Sequence, residues 1–244
     1  MPSSVAIILQ MLRRRFPNPG AMEVGNPYRT LVAVILSART RDEQVLKLLP
    51  GFFAAYPTVL ALARANVKEI EQKISTIGMY RQKAKHLQGM AKMVGHGDIP
   101  RTMEGLVALP GVGRKTASVV LVACFETPAI AVDTHVHRVV NRLGWVKTKT
   151  PEKTEAALLQ MVPKSWQATV NRVFVKFGRY ICIPGRPRCW MCPIQKHCAY
   201  KLKTYTLPKN AAAVREDLAR REEVLEALRR NCLVSATKES DRES

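Results

Sequence analysis

The chain has 244 residues, enough for one large domain or two small ones around a substantial core, and its formal net charge is +20, with 39 Lys and Arg against 19 Asp and Glu. No apolar run approaches the roughly 20 residues needed to span a bilayer, and there is no lipidation signal or long basic amphipathic helix with aromatic anchors. A membrane is therefore a poor partner, and a polyanion, nucleic acid first, is the expected one. The charge is uneven. Beyond Thr204 the two signs balance, whereas between His135 and Lys203 only Glu152 and Glu155 oppose the lysines and arginines.

In chain order, Val5, Ile8, Leu9, Leu12 and Phe16 have the spacing of a core helix, which favours a structural first helix over a transit peptide. Pro17-Asn18-Pro19-Gly20 reads as a loop. Asn26-Pro27 pairs an N-cap residue with proline at the first helical position, so the apolar run Leu31–Ala38 is read as a buried helix. Thr40-x-x-Glu43 has the form of a capping box for a helix reaching about Phe53. Helices over 59–65, 67–74 and 81–94 are punctuated by Pro57, Gly78 and Gly95–Gly97. A short helix over 102–109 leads into a turn and a further helix from Lys115 to Cys124, despite the β-branched residues at 118–122.

Beyond it, a helix runs through His135 to Leu143, and Thr150-Pro151-Glu152 starts another with Ala156, Leu159 and Val162 on one stripe. Ser165 is expected to cap a helix through Tyr180 that buries Trp166, Val170, Phe174 and Phe177. No alternating strand pattern or solenoid repeat intervenes, so the fold class is all-α. In the tail, Leu207, Ala211, Val214, Leu218, Leu225 and Leu228 predict an amphipathic helix packed on its own body, followed by disorder beyond Cys232.

The chemistry centres on Leu109–Asp133. Leu109-Pro110-Gly111-Val112-Gly113 is a tight turn whose glycines permit positive φ and a bare backbone. It hands over to a helix start at Arg114-Lys115, a place that attracts anions. The helix dipole and Arg114 both disfavour an ammonium at Lys115, and a lysine shifted towards neutrality is a nucleophilic amine able to form a Schiff base. Asp133 ends an apolar approach in Ala-Val-Asp-Thr-His. Taken alone, it reads first as an N-cap and Lys115 as a solvated lysine; behind the glycine turn, the two together point to chemistry.

Cys182, Cys189, Cys192 and Cys198 form C-x6-C-x2-C-x5-C. Four thiolates suit tetrahedral zinc or a cubane iron–sulfur cluster, and two disulfides are the remaining option. Such clustering suits metal ligation in a reducing compartment, and spacing alone places zinc first. Arg186, Arg188 and Lys196 lie inside the ligand loops, where a rigid centre could hold them outwards against phosphates. Cys124 falls in an apolar run and reads as an inert core thiol.

With these motifs the sequence resembles the helix–hairpin–helix DNA glycosylases, specifically the endonuclease III family, from about residue 5 to 203. The resemblance implies a two-lobed all-α fold. One lobe is a six-helix barrel over 21–127 carrying the hairpin; the other joins 1–20 to 128–203 around a [4Fe–4S] cluster held by the four cysteines after Gly178-Arg179-Tyr180, with Zn2+ as the alternative. Residues 204–244 form the C-terminal helix and tail. It also implies that Lys115 attacks C1′ of a damaged nucleotide while Asp133 assists, that β-elimination follows, and that oxidised or ring-saturated pyrimidines leave duplex DNA. Gly111, Val112, Gly113 and Arg114 would contact DNA, as would His135, Arg186 and Arg188. Arg39 and Met79 would fill the void left by the flipped nucleotide.

The familiar bacterial members have Gln where this chain has Arg39, which bears on opposite-base preference. Leu31–Thr40 lacks the carboxylate of the adenine glycosylases of this fold. A thymine or uracil mismatch glycosylase and a non-catalytic helix–hairpin–helix DNA binder are the competing readings. A monomer is expected, in the nucleoid of a prokaryotic cytoplasm, with nucleus and mitochondrion left open.

Overall fold

The structure, a computed structural model, describes residues 4–17 and 22–240. The chain forms α1 (Ser4–Arg15), α2 (Pro27–Ser37), α3 (Asp42–Ala55), α4 (Val59–Arg64), α5 (Val67–Lys73) and α6 (Tyr80–Val94). It continues with α7 (Met103–Val107), α8 (Arg114–Cys124), α9 (Thr134–Leu143), α10 (Pro151–Met161), α11 (Lys164–Tyr180) and α12 (Ala211–Ser240). Among the described residues there is no strand, in agreement with the expected all-α class. The helices divide into two compact units, Met1–Pro19 with Thr127–Ala219, and Gly20–Glu126 with Arg220–Ser244. The expected loop at 17–20 falls, but for Pro17, outside the described residues.

The Gly20–Glu126 unit is built on α2. Asn26 accepts from the Arg29 amide at 2.9 Å and Pro27 opens the helix, as the Asn-Pro pair predicts. Leu31–Leu36 are all buried, so the apolar run is a helix enclosed on every side, with α3, α6 and α8 packed on it. Residues 118–122 are helical because Ala117, Ser118, Val120 and Leu121 supply a buried face that outweighs weak β-branched propensity. The predicted capping box does not form. Helix α3 starts at Asp42 with Arg41 at its N-cap, and the Thr40 hydroxyl instead donates to Ala38 O and accepts from Lys83 Nζ.

In the other unit α1 packs along α11, and Val5, Ile8, Leu9, Leu12 and Phe16 join one core with Val136, Val140, Val170, Phe174 and Phe177. The first helix is thus structural. Two helix details differ from expectation. In α10, Ala156 and Leu159 are exposed, and the buried stripe is Thr154, Glu155 and Leu158. Thr154 can be buried because its hydroxyl donates to Thr150 O and meets His137 Nδ1 at 2.7 Å. Helix α11 starts at Lys164 with Pro163 at its N-cap, so Ser165 is not the cap.

Helix α12 begins at Ala211 and leaves Leu207 exposed before it. Leu218 is buried in the core of the α1–α11 unit. Fourteen residues on, in the α2–α8 unit, the Cys232 carbonyl accepts from Arg29 Nη2 at 3.1 Å and its thiol lies 3.3 Å from Leu46 O. The helix packs on its own body as predicted, but continues past Cys232 to Ser240 where disorder was expected.

Candidate functional site

The turn before α8 is set by one glycine and left open by the other. Val112 N donates to Leu109 O at 3.1 Å, and Val112 is buried, anchoring the loop. Gly111 has φ +79°, and a Cβ there would lie 2.7 Å from His86 Nδ1, so both backbone and space require glycine. Gly113 makes no use of the positive φ a glycine permits. It is extended at φ −93°, serves as the N-cap of α8, and a Cβ on it would meet nothing within 4 Å. Nothing in the protein's own packing demands that glycine. An anion reaching it meets bare backbone at the positive end of a helix. Arg114 and Lys115 follow immediately in the first turn, both exposed.

In the other unit Asp133 is the N-cap of α9. Its Oδ1 accepts from His135 N at 2.8 Å and from Val136 N at 2.9 Å, which is the capping role its residue type predicts. His135 is half-buried with Nδ1 3.1 Å from Arg138 Nη2. Gly178 accounts for how closely α11 lies against it, since a Cβ there would fall 2.8 Å from His135 Cβ.

The same helix holds the cysteine loop. Arg138 donates to Gly178 O at 2.8 Å and to Cys182 O at 3.1 Å, while Arg142 donates to Ile183 O at 2.7 Å and to Cys182 Sγ at 3.5 Å. Sequence reasoning missed both arginines, because arginines in a basic stretch read as DNA contacts. Arg188, expected to point outwards, is half-buried with Nη1 donating to Tyr180 O at 2.8 Å. Arg186 and Lys196 are exposed.

Cys182, Cys189, Cys192 and Cys198 are all unpaired thiols lining one cavity with Leu143 and Ile194. Burial pushes the Cys182 thiol up, opposed by the Arg142 hydrogen bond, and burial pushes Cys192 up to about 12. Such thiols stay protonated at neutral pH until a cation displaces the protons. Among the described residues no three His, Cys, Asp or Glu side chains are arranged to hold a single metal ion. Cys124, outside the set, has its thiol raised by burial, which suits an inert role.

Arg39 and Met79 share an unusual backbone. Both are non-glycine residues in the left-handed region, at φ +54° and +60°, and both are exposed. A long side chain seldom adopts this conformation, and where it does the surroundings hold it there. Lys83, a residue no sequence feature singled out, lies beside both and is buried.

Comparisons with known proteins agree with one another. The family described as HhH-GPD superfamily base excision DNA repair protein matches residues 32–164. Endonuclease III of Thermotoga maritima is 45% identical over 178 residues, covering 72% of this chain and 84% of that protein. A trapped endonuclease III–DNA covalent intermediate superposes with a TM-score of 0.74 at 36% identity, covering 82% of this chain and 97% of that one. A thermostable thymine-DNA glycosylase superposes with a TM-score of 0.71 at 27% identity, over 80% and 94% of the two chains. The glycine turn, the capping aspartate and the four clustered thiols therefore sit in a chain that belongs to the HhH-GPD superfamily of base excision DNA repair proteins, within its endonuclease III family.

Proposed function

We propose that this protein is a bifunctional DNA glycosylase and AP lyase that removes oxidised or ring-saturated pyrimidines from duplex DNA. The observation that carries the reading is Lys115, an exposed amine in the first turn of α8, directly behind a glycine turn whose second glycine leaves room for a phosphate. The related endonuclease III has been trapped as a covalent intermediate with DNA, and a covalent adduct needs a nucleophile of this kind.

Lys115 Nζ, as the neutral amine, donates its lone pair to C1′. The glycosidic C1′–N bond breaks, and the base leaves with that electron pair and takes up a proton. Asp133 provides the carboxylate that offsets positive charge on the sugar. Opening of the sugar ring leaves a protonated imine between Nζ and C1′. Loss of a C2′ proton then expels the 3′ phosphate by β-elimination, and water hydrolyses the imine to free the lysine. Arg39 and Met79 fill the space the nucleotide leaves, and Gly111, Gly113, Arg114, His135 and Arg186 serve as DNA contacts, while Arg188 and Val112 are turned to the protein's own backbone.

The four thiols are proposed to hold a [4Fe–4S] cluster. Four reduced cysteines around a single cavity suit it, and Zn2+ is the alternative such thiolates would also hold. Bound there, the cluster has a structural role with no electron transfer in the reaction, and it braces the loop carrying Arg186. A protein that is colourless as purified under nitrogen, with zinc in place of iron by elemental analysis, would overturn the assignment.

Borohydride trapping tests the enzyme. Reduction of the imine should give a covalent protein–DNA product on an abasic or oxidised-pyrimidine duplex, and its absence with wild type removes the lyase. The likeness to a thymine-DNA glycosylase keeps one second reading. Release of thymine or uracil from mismatches with guanine, without nicking and without release of oxidised pyrimidine, would select it.

A further inference from the structure

The two side chains proposed to enter the helical void share one support. Lys83 is 4% exposed, and its Nζ donates to Leu36 O at 2.8 Å and to Thr40 Oγ1 at 2.7 Å. Those acceptors stand on either side of Arg39, the first in the last turn of α2 and the second just after the strained residue. At the other end of the same residue, Lys83 N donates to Met79 O at 3.0 Å, the bond that starts α6 on its left-handed N-cap. One residue thus ties the backbone at Met79 to both flanks of Arg39.

A lysine is an uncommon choice for such a place. Both acceptors of its ammonium are neutral, and burial lowers its pKa to about 8. Burying an ammonium against neutral acceptors disfavours the folded state relative to an apolar residue of similar length. Capping a carbonyl at the end of α2 does not require it, because glycine or a hydroxyl does that at a helix end. What lysine adds is reach, from the base of one loop to both sides of the other.

We propose that Lys83 is a positioning residue for nucleotide flipping: it holds the Arg39 and Met79 loops in one fixed relation, so that both side chains enter the duplex together as the damaged nucleotide leaves. The inference rests on Arg39 and Met79 being the void-filling pair. It implies that Lys83 matters where a base stack must be opened and not where there is none.

The test compares Lys83→Met, Thr40→Val and Thr40→Ser with wild type. Single-turnover base release is measured on a duplex with one oxidised pyrimidine and 2-aminopurine beside it, and β-elimination on a single-stranded oligonucleotide with an abasic site. Lys83→Met and Thr40→Val should each slow base release about tenfold and weaken the 2-aminopurine signal, the scale of one charge-assisted hydrogen bond. Thr40→Ser, which keeps the hydroxyl, should stay within about twofold of wild type, and single-stranded nicking should change by no more than that in any variant. Parallel loss of both activities makes Lys83 a stability residue only and overturns the proposal. So does base release that stays at the wild-type rate in Lys83→Met and Thr40→Val. A wild type that neither releases a base nor nicks brings down the enzyme reading itself, a different result from impaired variants beside an active wild type.

Discussion

Asp133 caps α9 and is proposed to assist at the sugar, and a single substitution can separate the two. Asparagine caps a helix about as well as aspartate but carries no charge, so Asp133→Asn should leave the melting temperature unchanged while slowing base release. Asp133→Ala should lose about 1 kcal/mol of stability as well, measured by urea denaturation. Lys115→Ala should abolish nicking and borohydride trapping while duplex binding survives. Lys83 offers a check by pH. Burial holds its ammonium at about 8, whereas an unfolded chain keeps that proton to about 10.4. Below the folded value both states are protonated; between the two the unfolded chain binds more protons, so stability rises with pH across that window. Wild type should therefore gain on Lys83→Met as melts are taken from pH 8 to about 10, and a flat difference would refute a strained ammonium. None of this was legible in Tyr80-Arg81-Gln82-Lys83, where a lysine among polar neighbours reads as solvated. Its burial depends on a loop more than forty residues earlier in the chain.

At the scale of elements, legibility followed how local the cause was. Asn26-Pro27 and Thr150-Pro151 specify their helix starts through bonds three residues long, and both helices begin there. Thr40-x-x-Glu43 has an equally good local pattern and fails, because a distant ammonium takes the hydroxyl. The stripe of α10 was misread for a similar reason. Thr154 is buried by a hydroxyl network with His137 and Thr148 that no hydrophobic periodicity can register. The glycine turn was legible as a turn, but its two glycines could not be told apart in sequence. Gly111→Ala should destabilise the protein by more than about 1 kcal/mol, since φ +79° and the contact with His86 both oppose a side chain. Gly113→Ala should leave thermal stability intact and weaken duplex binding, measured by fluorescence anisotropy.

For the whole molecule, the +20 charge is an electrostatic statement about affinity. If about four phosphates are neutralised, binding to an undamaged duplex should fall roughly a hundredfold between about 50 and 200 mM salt, and a slope near zero would contradict a polyanion as the partner. The basic excess marked the class of partner from sequence alone, but not which arginines face it. Arg138, Arg142 and Arg188 spend their guanidinium donors on carbonyls of the cysteine loop and the end of α11. Those bonds have a practical outcome. The helix that Asp133 caps is fastened through Arg138 and Arg142 to the backbone on either side of Cys182, so loss of whatever the thiols carry is expected to loosen the seat of the carboxylate. Protein from iron-starved cultures should then turn over poorly while still soluble and still retained on heparin, and anaerobic reconstitution should restore the rate.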